Sequence, residues 1–260
     1  MIFAKKSLGQ NFLIDKNVVR KIINLVNIKD NHIIEIGPGK GALTDEILKQ
    51  QPKSLLLIEK DFKLIEKLKI KYSNNNIIKI VNSDVLKFDF EKIKNNNLII
   101  FGNLPYNISS QILVKMIKFA KWPPSYKHLI FMFQKELGDK ITAIFPSSNY
   151  GRLSILVNYR LNIIKKFLVS PNCFFPKPKV TSQVIHFNPK KEKINIKHIK
   201  NLEKVTNIMF SNKRKMVNKN IKKIIAIEKI HQISDLKVDL RPADLKPEIY
   251  YKIANLIEKK

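Results

Sequence analysis

Short apolar runs alternate with amphipathic stretches through the first two-thirds of the chain, a pattern that predicts a parallel sheet with crossover helices. Residues 18–26 set Val18, Val19, Ile22, Ile23 and Val26 at helical spacing. A first strand follows at 32–36, a helix at 43–49, a second strand at 54–58 and a helix at 62–71. Residues 77–82 predict a third strand and 98–102 a fourth. A helix from 109 to 119 is stopped by Pro123-Pro124, and 128–134 predict a fifth strand. Further strands are expected at 153–158 and 184–187. Pro171, Pro176, Pro178 and Pro189 mark a stiff, extended transition. Beyond it the pattern changes to lysine-rich helices at 199–210, 217–227 and 247–257, and a domain boundary is expected near Asn188. In open α/β sheets ligands sit beyond the carboxyl ends of the strands, so candidate chemistry is sought there.

Composition narrows the setting. A chain of 260 residues, 44% hydrophobic, can bury a sizeable core. The single cysteine, Cys173, excludes an intrachain disulfide and fits a reducing compartment. The start, Met1-Ile2-Phe3-Ala4-Lys5-Lys6, lacks the apolar stretch of a signal peptide. No apolar run approaches the roughly 18 residues of a membrane span. A soluble, cytoplasmic protein is expected. Net charge is +28, from 49 basic and 21 acidic residues. Such an excess points to a polyanionic partner, because cations that contact phosphates release counterions. Only Arg20, Arg152, Arg160, Arg214 and Arg241 are arginines, and Asn and Ile are abundant, so part of the excess reflects an AT-rich coding bias. The charge nevertheless clusters, with thirteen Lys or Arg against three Glu from Lys190 to Lys229.

The first candidate site is Gly37-Pro38-Gly39-Lys40-Gly41, between a strand and a helix. Glycines there allow a tight turn and close approach of a ligand to the main chain. A dinucleotide fingerprint needs its third glycine one position later, and the spacing instead looks like an S-adenosylmethionine loop. Glu59 ends the second strand, where a carboxylate accepts from ribose hydroxyls, a position that serves either cofactor. Asp84, after the third strand, can accept from an adenine amine, and Glu35 can help to hold an ammonium. Carboxylates without a phosphate-binding arginine suit a cationic cofactor.

The second candidate is Asn103-Leu104-Pro105-Tyr106, at the end of the fourth strand. An amide oxygen and a backbone carbonyl can accept both protons of an exocyclic amine. Pro105 stiffens the turn, and Tyr106 offers a face for a flat base. Taken alone, the quartet is equally an ordinary strand-to-helix turn; the glycine loop, Glu59 and Asp84 in order tip the reading towards amine methylation. Phe174 or Phe175 can close the other face of an extruded base, with core packing the stronger reading for Phe175. The five histidines are scattered without metal-ligand spacing, and no metal is expected. Cys173 has no Cys or His partner nearby in sequence and reads as an inert thiol.

With these segments in order, the chain resembles the ribosomal RNA adenine N6-dimethyltransferase family from end to end. The resemblance is carried by Leu8-Gly9-Gln10-Asn11-Phe12-Leu13, by residues 34–44, and by Ile58-Glu59-Lys60-Asp61, Ser83-Asp84 and residues 101–109. It continues through Gln134-Lys135-Glu136, Tyr150-Gly151-Arg152-Leu153-Ser154, residues 174–180 and Phe210-Ser211-Asn212-Lys213-Arg214-Lys215. It implies a class I methyltransferase (Rossmann-like) α/β sheet with helices on both faces over residues 1–188. A small, basic, helical rRNA-binding domain is implied over 189–260. It implies S-adenosylmethionine as cofactor, held by Asn11, Leu13, Gly37, Glu59, Asp84 and Asn103. Phe174 is implied as a second stacking residue beside Tyr106, in a catalytic group with Asn103, Leu104 and Pro105. The implied reaction puts four methyl groups on two adjacent adenosines near the 3′ end of small-subunit rRNA. The implied substrate is an assembling 30S particle, and a monomeric protein free of membrane is expected. Lys213-Arg214-Lys215 is implied to touch rRNA backbone. Lys213 stands where an arginine is usual and Lys237 where a glycine is common, and both changes bear on rRNA docking. A sister enzyme of large-subunit rRNA and a non-catalytic assembly or transcription factor are the rival readings.

Overall fold

The structure is a computed structural model and describes residues 10–191, 194, 196–233 and 235–257. The elements, in chain order, begin with β1 (Phe12–Leu13), α1 (Lys16–Ile23), β2 (His32–Ile36), α2 (Ala42–Lys49), β3 (Ser54–Glu59), α3 (Phe62–Lys71), β4 (Ile78–Asn82) and β5 (Leu98–Asn103). They continue with α4 (Ser109–Ile117), β6 (Tyr126–Gln134), α5 (Lys135–Ile141), α6 (Arg152–Arg160), β7 (Leu161–Val169), β8 (Phe174–Phe175) and β9 (Ser182–Pro189). The last are α7 (Ile199–Met209), α8 (Asn218–Ile221), α9 (Ile227–Ile230) and α10 (Pro247–Ile257).

The main sheet has the order β4-β3-β2-β5-β6-β9-β7. Strands β2 to β6 pair in parallel, and β9 returns antiparallel to β6. From β2 the chain winds outwards through β3 to β4, then crosses back to place β5 and β6 on the other side. Crossovers running outwards from β2 in opposite directions leave a switch point between β2 and β5.

Register explains the core. Ile33 is paired with Leu55 and Ile99, and Phe101 with Ile130, so alternate residues of neighbouring strands share a face. That face joins Val19, Ile22 and Ile23 of α1 and Leu43 and Ile47 of α2 in one buried cluster. Asp15 starts α1 by accepting from the amides of Asn17 and Val18 at 2.8 and 3.0 Å.

Two compact units emerge from the contacts. Of the described residues, one holds those up to Lys115 together with Pro123–Gly138 and Ile163–Pro189; the other holds Met116–Trp122, Asp139–Asn162 and those from Lys190 onwards. The second unit is built on α6, α7 and α10, with Leu202, Val205, Met209, Ile253 and Ala254 buried. Its buried Arg160 donates Nη1 to the carbonyls of Ile117 and Phe119 at 2.7 and 2.8 Å and lies over the Trp122 ring. A buried guanidinium is tolerated here because carbonyl dipoles and an aromatic face replace its water.

Residues 153–158 form part of α6, and not the strand that the sequence predicts. Leu153-Ser154-Ile155-Leu156-Val157 is short and apolar, and periodicity cannot tell a buried helix from a buried strand in such a run. Ser154 closes the first turn, its hydroxyl accepting from the Gly151 amide at 3.0 Å. The true strand, β7, comes immediately after; it escaped detection because an edge strand carrying Lys165 and Lys166 has no clean alternation. The predicted helix at 217–227 is broken into α8 and α9, and α5 was not foreseen.

Candidate active site

The glycine loop joins β2 to α2 with Gly37, Gly39 and Gly41 all at positive φ, between 59° and 85°. L-residues with a side chain pay for such angles with contacts between Cβ and the carbonyl oxygen. At Gly39 there is a second reason: a Cβ would lie 2.9 Å from the Phe12 ring, so only hydrogen leaves room for the strand above. The Gly37 amide donates to the Ile58 carbonyl at 2.9 Å and fastens the loop to the end of β3.

The carboxylates are set by strand ends. Glu59 closes β3 and is buried. Its Oε1 accepts from the amides of Lys60 and Asp61 at 2.8 and 2.9 Å, and its Oε2 from Gly39 at 3.4 Å. Burial raises its pKa, and those three amides oppose the rise. Asp84, just after β4, accepts from Lys60 Nζ and from the Leu86 amide, each at 2.9 Å. The Lys60 ammonium, helped by that amide, holds it below the ordinary carboxylate range. Glu35 of β2 is buried, with the Thr44 hydroxyl donating to it at 2.6 Å. Desolvation pushes its pKa up to about 8, against that hydrogen bond.

Asn103 ends β5. Its Nδ2 donates to the Asn11 carbonyl at 2.9 Å. A carbonyl can only accept, so this contact assigns the amide's orientation and leaves Oδ1 as the acceptor presented by the motif. The Leu104 side chain is buried behind it. The Tyr106 hydroxyl shares a 2.5 Å hydrogen bond with Ser182 of β9, which fixes the ring, and burial raises its pKa.

One cavity of about 830 Å³ gathers these groups, a volume suited to a cofactor with a substrate base. Asn11, Leu13, Gly37, Glu59, Asp84, Asn103, Leu104, Pro105 and Tyr106 all line it, as does Glu35. Phe174 does not. It is 3% exposed and packs in the core cluster with Leu13, its cross-strand partner in the antiparallel pair β1–β8. Phe175, for which core packing was expected, is 62% exposed. Alternation along β8 sends the neighbours to opposite sides, and sequence alone does not reveal which side is core. Sequence reasoning also missed Lys60, Ser182 and Phe12, which join the site through folding and carry no local signal. Arg20 lines the rim, where its guanidinium stands 3.9 Å from Glu46 rather than awaiting a phosphate. His128 and His186, scattered in sequence, meet at 2.9 Å across β6 and β9. Among the described residues no group of three or more His, Cys, Asp or Glu could hold a metal, and no helix is long and apolar enough to cross a membrane.

A model of the family described as ribosomal RNA adenine dimethylase matches residues 2–259. The chain belongs to that family. The protein named ribosomal RNA small subunit methyltransferase A in Pelagibacter ubique (strain HTCC1062) is 44% identical over 256 residues, which cover 98% of this chain and 97% of that one. Its counterpart in Malacoplasma penetrans (strain HF-2) is 41% identical, covering 96% and 91%. Among solved structures, a dimethyladenosine transferase from Plasmodium falciparum superposes with a TM-score of 0.76 at 24% identity, covering 95% of this chain and 98% of that one. The 23S rRNA methyltransferase ErmE gives 0.70 at 20%, covering 95% and 100%. Both show the fold, that of the class I methyltransferases. The dimethylase is therefore an S-adenosylmethionine-dependent enzyme that modifies rRNA, and the dinucleotide reading of its glycine loop falls. The cavity's lining fits that cofactor, with Glu59 at the end of β3, Asp84 just beyond β4 and the buried Glu35 all bordering the glycine loop's side of it and no arginine-paired phosphate site among them.

Proposed function

We propose that this protein dimethylates N6 of two adjacent adenosines near the 3′ end of small-subunit rRNA, acting as a monomer on an assembling 30S particle in the cytoplasm. The observation that carries the reading is the Asn103 amide, whose Nδ2 is engaged by the Asn11 carbonyl, leaving Oδ1 as its acceptor, on a residue that lines one cavity with Glu59 and Asp84. The substrate follows from relatives at 44% and 41% identity that bear a small-subunit name.

Adenine N6 is a weak nucleophile because its lone pair is delocalised into the ring. Asn103 Oδ1 and the Leu104 carbonyl accept its two N–H groups, draw the nitrogen towards tetrahedral geometry and localise the lone pair. Pro105 holds the carbonyl in place, and Tyr106, anchored on Ser182, stacks against the base. In this reading Asn11, Leu13, Gly37, Glu59, Asp84 and Asn103 hold S-adenosylmethionine, which supplies an electrophilic methyl group on a sulfonium. The residues' main contribution is positioning, with reacting atoms held roughly 3–3.5 Å apart. The methylated nitrogen sheds its proton to water, so no strong base is needed. Phe174 as the second stacking face belongs to the same proposal, as does an rRNA-binding role for the basic residues 189–260, where Lys213, Arg214 and Lys215 are exposed.

Mass mapping of small-subunit rRNA from cells with and without the protein tests the assignment. The expected result is loss of two neighbouring dimethyladenosines near the 3′ end. Loss of a methyladenosine from large-subunit rRNA instead would transfer the protein to the sister activity.

A further inference from the structure

Strand register places the two phenylalanines the other way round from the sequence expectation, Phe174 in the core and Phe175 outside it. Leu13 pairs with Phe174, and Phe12 with Phe175. The first pair is buried in the core cluster. The second faces the other way, where Phe12 is covered by Gly39 and Phe175 stays 62% exposed. Lys40 completes the group: its Nζ lies 4.9 Å from the Phe12 ring centroid and 5.9 Å from that of Phe175. Phe12 and Lys40 line the cavity, so the Phe175 ring stands at its edge. Pro176 and Pro178 stiffen the following segment, and its charges are the exposed cations Lys177 and Lys179.

A flat apolar ring, exposed at the rim and accompanied only by cations, complements a ligand with a flat face and a linked anion. An unpaired nucleotide has both, and aromatic platforms beside basic side chains are how single strands are gripped without regard to sequence. A protein partner would call for carboxylates against these lysines and gives no reason for a lone ring at a nucleotide-sized cavity.

We propose that Phe175, with Lys40 beside it, is a stacking platform for the RNA nucleobase that flanks the nucleotide held in the cavity, the lysine meeting the connecting phosphate. The assignment rests on the proposed function, since it takes the cavity's occupant to be part of an RNA strand.

The test uses the full-length protein and an rRNA fragment carrying 2-aminopurine beside the target adenosines, read by fluorescence and, separately, by methyl transfer. Wild type is expected to quench the 2-aminopurine on binding, and Phe175→Ala to lose that quenching. The same variant should raise KM for RNA about 10-fold, with kcat at saturating RNA and affinity for S-adenosylmethionine unchanged. Phe175→Trp should restore both readouts, which a purely structural role would not require. Equal quenching and equal KM for wild type and Phe175→Ala would overturn the platform, and so would a fall in kcat with KM unmoved. The quenching needs no turnover. If wild type binds and quenches yet transfers no methyl group, the catalytic reading fails and the platform stands.

Discussion

The orientation of one side-chain amide carries the chemical argument. Asn103 is half-buried at the end of β5, and its hydrogen bond to Asn11 determines which of its two ends is left to accept from the substrate amine in the proposed reaction. Asn103→Ala should lower methyl transfer by about 100- to 1,000-fold, the range seen when one preorganised polar group is removed. RNA affinity should change little, because the amide acts on an amine and not on phosphates; parallel filter binding and methyl incorporation measure both. Glu59→Ala removes the acceptor proposed for ribose hydroxyls and should weaken S-adenosylmethionine about 10- to 100-fold by calorimetry, as expected for hydrogen bonds to a charged group. Phe174→Leu separates two roles. A stacking role predicts lost turnover at an unchanged melting temperature, and a packing role predicts the reverse. Of the site, Asn103, Glu59, Asp84 and the glycines were legible because each combines a residue type with a strand end. Ser182 and Lys60 were not, since a hydroxyl or an ammonium says nothing about its partner until the chain folds. Phe174 and Phe175 are identical in composition and differ only in the side of a strand they occupy.

At the level of elements, the glycine loop is the tightest joint. Gly39→Ala would force a Cβ at a φ of 59° and within 2.9 Å of Phe12. The backbone conflict alone is worth about 1–2 kcal/mol. Because Phe12 must also move, cofactor affinity should fall further than overall stability, which calorimetry and thermal melting can compare. The parallel strands β3, β5 and β6 were readable because buried strands are largely continuous apolar runs bounded by turn residues. The stretch 153–158 was not, because burial runs round it: the successive residues Ser154, Ile155, Leu156 and Val157 are all buried within one helix. A helix buried on most sides offers no clean periodicity to detect. The antiparallel return of β9 and the edge position of β7 likewise depend on pairing partners far away in sequence.

Two buried titrating sites bear on the stability of the molecule as a whole. His186 is pulled down to about 4 by burial and by its neighbour His128, below the 6.5 of an unfolded histidine. A base with a depressed native pKa favours the fold fully above 6.5, and that stability is lost as pH falls towards 4. Glu35 is pushed up to about 8 from 4.5, so its contribution is complete below 4.5 and is lost as pH rises towards 8. The two trends oppose one another between pH 4.5 and 6.5, so the cofactor-free protein should be most stable in that window in urea unfolding, with an acid limb below it and an alkaline limb above it. Glu35→Gln should flatten the alkaline limb and leave the acid one; an unchanged alkaline limb would remove the assignment. The charge of +28 makes a second prediction at this scale. Binding to small-subunit particles should weaken steeply and linearly in log–log form with salt, whereas a flat response would mark the lysines as coding bias.

The most direct measurement is transfer of isotopically labelled methyl groups from S-adenosylmethionine by the purified protein to small-subunit particles lacking these modifications, followed by nucleoside digestion and mapping. Four methyl groups per particle are expected, all recovered as N6,N6-dimethyladenosine at two adjacent positions near the 3′ end. Label on another base or at another position, or no label although the cofactor binds, would contradict it.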